Sequence, residues 1–315
     1  MDSRKNYHES VLERYMNGLA ENVRPDAEIV GADGIILNST EVISKSKIGI
    51  VIVPGITVPR ESYYRLLAGF FPFNVLIFDL RGQAFSGGEL SLDGTVKDIN
   101  VAGQQFKKKR GLAFLIGIGH SFGGLALLRS SLEKDHPYDL RISLATPVDM
   151  TRISGKIPER ASVFLVYIHN IFRALKTPAL RDGIVRQYQY IWLPSFLKAP
   201  RIVALRINDP RSFNDTRLST PKLTDFIKDV ASPSHLIYAG NDTRLGIRGN
   251  LAGDYEELSV LASEKGFELT TFEGLSHRFN RGKETQFVLS YNNDKVIEKI
   301  REIIKHHISS EREAC

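Results

Sequence analysis

Along most of the chain, short runs of β-branched and other apolar residues alternate with longer stretches in which apolar positions recur at helical spacing. That alternation is the pattern of βαβ units packed around a parallel sheet. Ile48 to Val53, Asn74 to Asp79, Ala113 to Gly117, Arg141 to Ala145, His235 to Ala239 and Phe267 to Phe272 are nearly continuously apolar, as strands covered on both faces are. Helices are predicted over Tyr63 to Phe71, Leu92 to Lys109, Phe122 to Glu133, Leu251 to Lys265 and Lys295 to His307. Ahead of them, Ala27 to Ile43 reads as an antiparallel hairpin, because Asp33-Gly34 at its centre supplies the positive φ angles of a tight turn. A further helix, Tyr7 to Leu19, carries Val11, Tyr15 and Leu19 on one stripe, enough to pack on the domain.

The alternation stops after Met150 and resumes near Leu223. The interval holds aromatics such as Tyr167, Phe172, Tyr188 and Trp192, broken up by Pro158, Pro178, Pro194 and Pro200. Aromatic helices interrupted by prolines, inserted between two strands, predict a helical cap over 151–222 on a core formed by 1–150 and 223–315. The interval also carries 13 basic and 4 acidic residues, a balance of +9, whereas the rest of the chain stands at about −3. The net charge of +6 is therefore a property of the cap and no general argument for nucleic acid. The run Lys107-Lys108-Lys109-Arg110 ends a predicted helix, where cations meet the helix dipole favourably, and is read as structural.

Composition excludes disordered and fibrous classes, since 42% of the 315 positions are hydrophobic and 25% charged. The single cysteine, Cys315, allows no intramolecular disulfide and favours a reducing compartment. With no apolar core behind the N-terminal charges and no run of 18 apolar residues, a cytoplasmic protein without a transmembrane segment is expected.

The chemistry begins after the strand at Ala113, with Gly117-Ile118-Gly119-His120-Ser121-Phe122-Gly123-Gly124 leading into a helix. Gly-x-Ser-x-Gly between a strand and a helix is the pattern of a nucleophile elbow, which thrusts the serine forward in a strained turn. Side chains at 119 and 123 would collide with neighbouring backbone. A serine nucleophile needs a base to take its proton and an acid to orient that base, arriving in the order Ser, Asp or Glu, His. The strand at His235 runs into Gly240-Asn241-Asp242, and the following one into Gly274-Leu275-Ser276-His277. Both side chains then leave the sheet at the edge where Ser121 does, the edge at which open parallel sheets bind ligands. His120 is expected to pack its ring in the elbow, while His136 and His235 flank strands at the opposite edge. The oxyanion of a tetrahedral intermediate needs two converging donors, for which the backbone N–H groups of Phe122 and of Ile56, in Val53-Pro54-Gly55-Ile56-Thr57, are the candidates.

With these motifs the sequence resembles the α/β-hydrolase superfamily, and within it the serine hydrolases similar to monoacylglycerol lipases and lysophospholipases. Phe78-Asp79-Leu80-Arg81-Gly82-Gln83-Ala84-Phe85-Ser86-Gly87 looks like the family's Asp-x-Arg-Gly-His-Gly-x-Ser segment, with Gly82-Gln83-Ala84 in place of Gly-His-Gly. Pro54-Gly55 likewise stands where the family usually has His-Gly. The resemblance implies an α/β fold with a mostly parallel central sheet, helices on both faces and a variable cap. It also implies cleavage of a small-molecule acyl ester through Ser121, Asp242 and His277, without metal or organic cofactor. The alternatives are an acyltransferase or thioesterase on the same scaffold, or a hydrolase-like protein that binds without catalysis. The basic, aromatic cap is suited to an acyl chain and to an anionic lipid surface.

Overall fold

The computed structural model describes residues 18–55, 58, 60–83, 86–88, 90–148, 222–240, 252–275, 277, 279 and 294–313. The expected N-terminal helix up to residue 17, the expected cap short of its last residue, Ile56 and Asp242 lie outside the described residues.

Eight strands form one sheet: β1 (Val23–Val30), β2 (Ile36–Val42), β3 (Ile48–Val53), β4 (Asn74–Phe78), β5 (Phe114–His120), β6 (Leu140–Leu144), β7 (Ser234–Ala239) and β8 (Glu268–Phe272). Their spatial order is β1-β2-β4-β3-β5-β6-β7-β8. β2 pairs antiparallel with β1 and β4, and every later pairing is parallel. The hairpin turn uses positive φ at Asp33 and Gly34, as its sequence requires. The α-helices among the described residues are α1 (Tyr64–Gly69), α2 (Leu92–Arg110), α3 (Phe122–Ser130), α4 (Ala252–Glu264) and α5 (Asp294–Glu313).

The pleat of the strands divides the core in two. Val51, Val53, Leu76, Phe78 and Leu115 join one apolar cluster with residues of α2, α3 and α4, such as Phe106, Leu127 and Leu258. Their neighbours Ile50, Ile52, Val75, Ile77 and Ile116 join a second cluster with α1 and α5. Period-two alternation between two buried faces is why these strands read as unbroken apolar runs. α5 contributes Val296, Ile300, Ile303 and Ile304, a helical stripe whose burial stabilises the fold by about 1.5–3 kcal/mol per side chain.

Several expectations shift, among them the last helix, which runs on from His307 to Glu313, and the hairpin, which begins at Val23. The strand placed at Ala113 to Gly117 runs on to His120, because Gly119 and His120 continue the ladder with β6. The strand at Phe267 to Phe272 is not covered on both faces: β8 closes the sheet as an edge strand, and none of its residues is fully buried. The helix predicted from Phe122 to Glu133 ends at Ser130, with tight backbone turns at Ser131 and Leu132 in place of further helix.

α2 is capped at both ends. The Ser91 hydroxyl accepts the Gly94 N–H at 3.1 Å, and Gly111 adopts φ 57° just past the last turn. The basic run at that end finds carboxylates: Lys107 meets Asp139 at 2.9 Å, Lys109 meets the buried Glu41 at 2.8 Å, and Arg110 also bonds Glu41. The described chain leaves the core at Val148 and resumes at Lys222, and the Leu223 N–H donates to the Val148 carbonyl at 2.7 Å. The described chain before and after residues 149–221 therefore meets at one point of the fold, in the connection between the adjacent parallel strands β6 and β7. Among the described residues, no helix is long and apolar enough to cross a membrane.

Candidate active site

Ser121 follows directly on β5 and precedes α3, with φ 54° and ψ −125°. A non-glycine residue at positive φ with that ψ is strained, a state that persists only where surrounding structure over-determines it. Here the surroundings are identifiable. The Ser121 N–H donates to the Leu144 carbonyl at the end of β6 (2.8 Å), and its own carbonyl accepts the N–H groups of Gly124 (2.9 Å) and Leu125 (3.2 Å) in α3. A Cβ on Gly119 would stand 2.6 Å from the Gly123 carbonyl oxygen, and one on Gly123 would press into the carbonyls of Val53 and Pro54. The two glycines of the motif thus let α3 approach both β5 and the end of β3 closely, and the turn at Ser121 is what remains. Ser121 is half-buried between fully buried neighbours, so the strained residue is also the accessible one.

The segment after β3 passes directly over the elbow. A Cβ on Gly55 would lie 3.2 Å from both Ser121 Cβ and His120 Nδ1. The Gly55 N–H itself is taken, donating to the Tyr63 hydroxyl at 2.9 Å. Ile56, the expected second oxyanion donor, lies outside the described residues. Phe122 is the first residue of α3, whose N–H has no carbonyl one turn earlier in the helix to meet. Its position immediately after Ser121 is the one the expected role requires.

β7 and β8 end at the same edge as β5. The Gly240 N–H donates to the Phe272 carbonyl at 2.9 Å, so the two strands finish side by side, with Asp242 two residues further along and outside the described residues. His277 is described and buried. Its loop turns at Gly274, at φ 74°, and is anchored on either side by Leu275 and Phe279, both buried in the α1/α5 cluster. The His277 ring lies 4.8 Å, centroid to centroid, from the ring of His120, the residue before Ser121. Two of the expected site residues are thus brought to one place from stretches more than 150 residues apart.

Sequence reasoning missed the part played by Tyr63. Its hydroxyl, 2.7 Å from His120 Nδ1, joins the Gly55 segment to the elbow, while His120 Nε2 faces the His277 carbonyl at 3.1 Å. No spacing rule announces a tyrosine at the start of α1 as part of a site on β5. In the segment from Phe78 to Gly87, the side chains of Asp79, Arg81 and Ser86 bind neighbouring parts of the core. Asp79 accepts the backbone N–H of the buried Arg60 at 2.9 Å and its guanidinium at 2.5 Å, and Arg81 forks onto Asp98 at 2.7 and 2.8 Å. The Ser86 hydroxyl donates to the Asp79 carbonyl at 2.6 Å and accepts the Asn38 N–H at 3.0 Å. These bonds fix the loop after β4, and the Arg81 guanidinium is held above its ordinary value chiefly by the Asp98 hydrogen bond.

The fold has counterparts among known proteins. The family model described as the alpha/beta hydrolase family matches residues 50–286. The chain belongs to the alpha/beta hydrolase family. A search of curated protein sequences found no match. Among solved structures, this alpha/beta hydrolase is similar to an esterase from Pyrococcus furiosus, with 18% identity, a TM-score of 0.58 and coverage of 89% of this chain and 91% of that one. An epoxide hydrolase from Vigna radiata aligns with a TM-score of 0.62 at 14% identity, covering 92% of this chain and 99% of its own. A thermophilic esterase from Thermogutta terrifontis aligns with a TM-score of 0.56 at 15% identity, over 90% and 99%. At such identities the likeness is one of fold, and function has to be argued from the site.

Proposed function

We propose that this alpha/beta hydrolase is a serine hydrolase that cleaves carboxylic esters of the acylglycerol or lysophospholipid kind. The observation that carries the reading is Ser121: a half-buried hydroxyl on a strained elbow, with the His277 loop tied to the residue before it. In the proposed reaction His277 takes the Ser121 proton as the oxygen attacks the ester carbonyl, with Asp242 orienting the imidazole. The N–H groups of Ile56 and Phe122 stabilise the oxyanion, and protonated His277 gives its proton to the departing alcohol. Water then enters by the same route: His277 takes its proton, hydroxide adds to the acyl carbonyl, and Ser121 leaves with that proton restored, releasing the acid.

Neighbours of this fold include esterases and an epoxide hydrolase, so the fold alone does not choose the bond that is cleaved. The serine at the elbow favours acyl transfer. The further proposal that residues 151–222 form a cap over the site is supported by their excursion from a single point between β6 and β7, and by their aromatic, basic composition. An acyl chain buried there contributes about 0.8 kcal/mol of binding per methylene.

The test is covalent labelling with a fluorophosphonate, followed by turnover of p-nitrophenyl esters of increasing chain length. Wild-type protein labels at Ser121 and Ser121→Ala does not; rates rise with chain length to an optimum that reports the depth of the acyl site. Absence of labelling, or equal ester turnover by Ser121→Ala, overturns the reading.

A further inference from the structure

His120 has no part in the proton transfers just described, yet its ring is only 2% exposed and both of its nitrogens are engaged. A carbonyl oxygen can only accept, so the 3.1 Å approach of Nε2 to the His277 carbonyl requires the hydrogen to be on Nε2. In the neutral ring Nδ1 is then an acceptor. Opposite it stands the Tyr63 hydroxyl, 2.7 Å away, which receives the Gly55 N–H at 2.9 Å and has its own hydrogen to give. Gly55 N–H to Tyr63, Tyr63 O–H to Nδ1, and Nε2–H to the His277 carbonyl make one sequence of donors running in one direction. The opposite tautomer would set a lone pair of Nε2 against the carbonyl and turn the Tyr63 hydrogen away from Nδ1.

The sequence of bonds joins three segments that share no regular pairing here: the chain after β3, the elbow, and the loop after β8. The second of its ends is the main chain of His277 itself. Leu275 and Phe279 anchor that loop by packing, which fixes its depth, whereas the bond from His120 fixes its position against a particular atom of the elbow. A general base has to sit within hydrogen-bond reach of the nucleophile, and an ångström of displacement costs on the order of 10²-fold in rate.

We propose that His120 is a positioning residue: its Nε2–H holds the His277 main chain in register with the elbow, and Tyr63 holds His120 in the tautomer that can do so. The inference rests on the reading of His277 as the base of a serine hydrolase. Its reach is the rate of the chemical step and not substrate binding, since the ring is buried and both of its nitrogens are engaged within the protein.

The experiment compares His120→Phe, which keeps a flat ring and loses both nitrogens, His120→Gln, whose amide N–H can reach where Nε2–H does, and Tyr63→Phe. The readouts are the rate of Ser121 labelling by a fluorophosphonate, kcat and KM on a p-nitrophenyl ester, and the ring 15N shifts of His120, which report its tautomer. His120→Phe is expected to lower kcat and the labelling rate by roughly 10- to 100-fold with KM within about twofold. His120→Gln recovers most of that loss, and wild-type His120 shows the Nε2–H tautomer, with Tyr63→Phe mixing the two tautomers and lowering kcat a few-fold. A wild-type labelling rate in His120→Phe, or a wild-type ring carrying its hydrogen on Nδ1, overturns the proposal. If His120→Phe does not fold, Tyr63→Phe decides it, an unchanged kcat standing against the proposal and a reduced kcat at constant KM for it. Failure of the parent reading looks different, because wild-type protein then does not label at Ser121 at all.

Discussion

Two pairs of histidine rings meet at opposite ends of the same sheet, and their surroundings differ. His120 and His277, with centroids 4.8 Å apart, stand where β5 and β8 end; His235 and His307, 5.0 Å apart, stand where β7 begins, against α5. In the first pair each nitrogen of His120 has a partner of fixed polarity, a hydroxyl and a carbonyl, beside a strained and accessible serine. In the second pair Nε2 faces Nε2 at 2.8 Å, so one ring donates and the other accepts. His235 Nδ1 faces Glu268 at 3.2 Å without hydrogen-bond geometry, and Lys299 holds Glu268 from the far side at 2.9 Å. Burial pulls the His235 imidazole down to about 4, against the pull of Glu268 and with the help of His307 and Lys299. The proximity of two rings therefore says little about chemistry. What separates the pairs is the backbone beside them: a strained elbow with a hydroxyl at one end, a strand start pinned to the last helix at the other.

The contrast is broken most directly by removing one member of each pair. His277→Ala and Ser121→Ala are each expected to lower ester turnover by about 10⁴–10⁶, while His307→Ala is expected to leave turnover within about twofold. Comparable losses from both substitutions, measured as kcat/KM on one ester, would erase the distinction. A second prediction concerns the frame of the first pair. Gly119→Ala sets a methyl 2.6 Å from backbone atoms of α3 that cannot yield as a side-chain end can, and is expected to destabilise the protein by about 3 kcal/mol or more. The urea midpoint measures it, and a loss under about 1 kcal/mol would show that the elbow relaxes more freely than its close approaches imply.

The second pair gives a pH signature. Because the folded-state pKa of His235 lies below its unfolded value, the unfolded chain takes up the proton first as pH falls. Stability is full above about 6.5 and declines as pH is lowered through the window down to about 4. Glu268, held below its ordinary value chiefly by the Lys299 hydrogen bond, acts in the same direction further down, its contribution being lost as pH falls through its folded-state value. Allowing for the partial solvent access of the pair, the His235 share is about 1–2 kcal/mol. Replacing His235 by Phe should flatten stability between those limits without changing the fluorophosphonate labelling rate, and an unaltered pH profile of the urea midpoint would count against it. Smallest of all, Lys299→Ala removes one partner of a half-exposed carboxylate and is expected to cost about 0.5 kcal/mol, an effect that 1 M salt should abolish.

The legibility of this molecule in its sequence follows the range of the interactions involved. The strands, most helices and the hairpin could be read because alternation, apolar runs and an Asp-Gly turn are local consequences of how a chain buries its own side chains. The end of β5 could not, since Gly119 and His120 are strand by virtue of their ladder with β6 and, for Gly119, with β3 as well. The exposure of β8 likewise follows from its place at the edge of the sheet, which its own residues do not specify. The elbow was visible because its glycines are demanded by steric contact within a few residues and with the strand beside them.

The elbow motif and the order of the strands were enough to nominate Ser121 and His277, because parallel strands end at the same edge of the sheet. What only the folded molecule decided was how the elbow is held: Tyr63 from the start of α1, Gly55 from the end of β3 and the carbonyl of His277 meet around one imidazole. Each of those bonds is directional and spans at most about 3 Å, while the residues it joins lie up to 157 positions apart. A pattern of residue types records which side chains are buried and which are wet. It carries no record of which distant donor ends up facing which acceptor, and that pairing is what tertiary structure supplies.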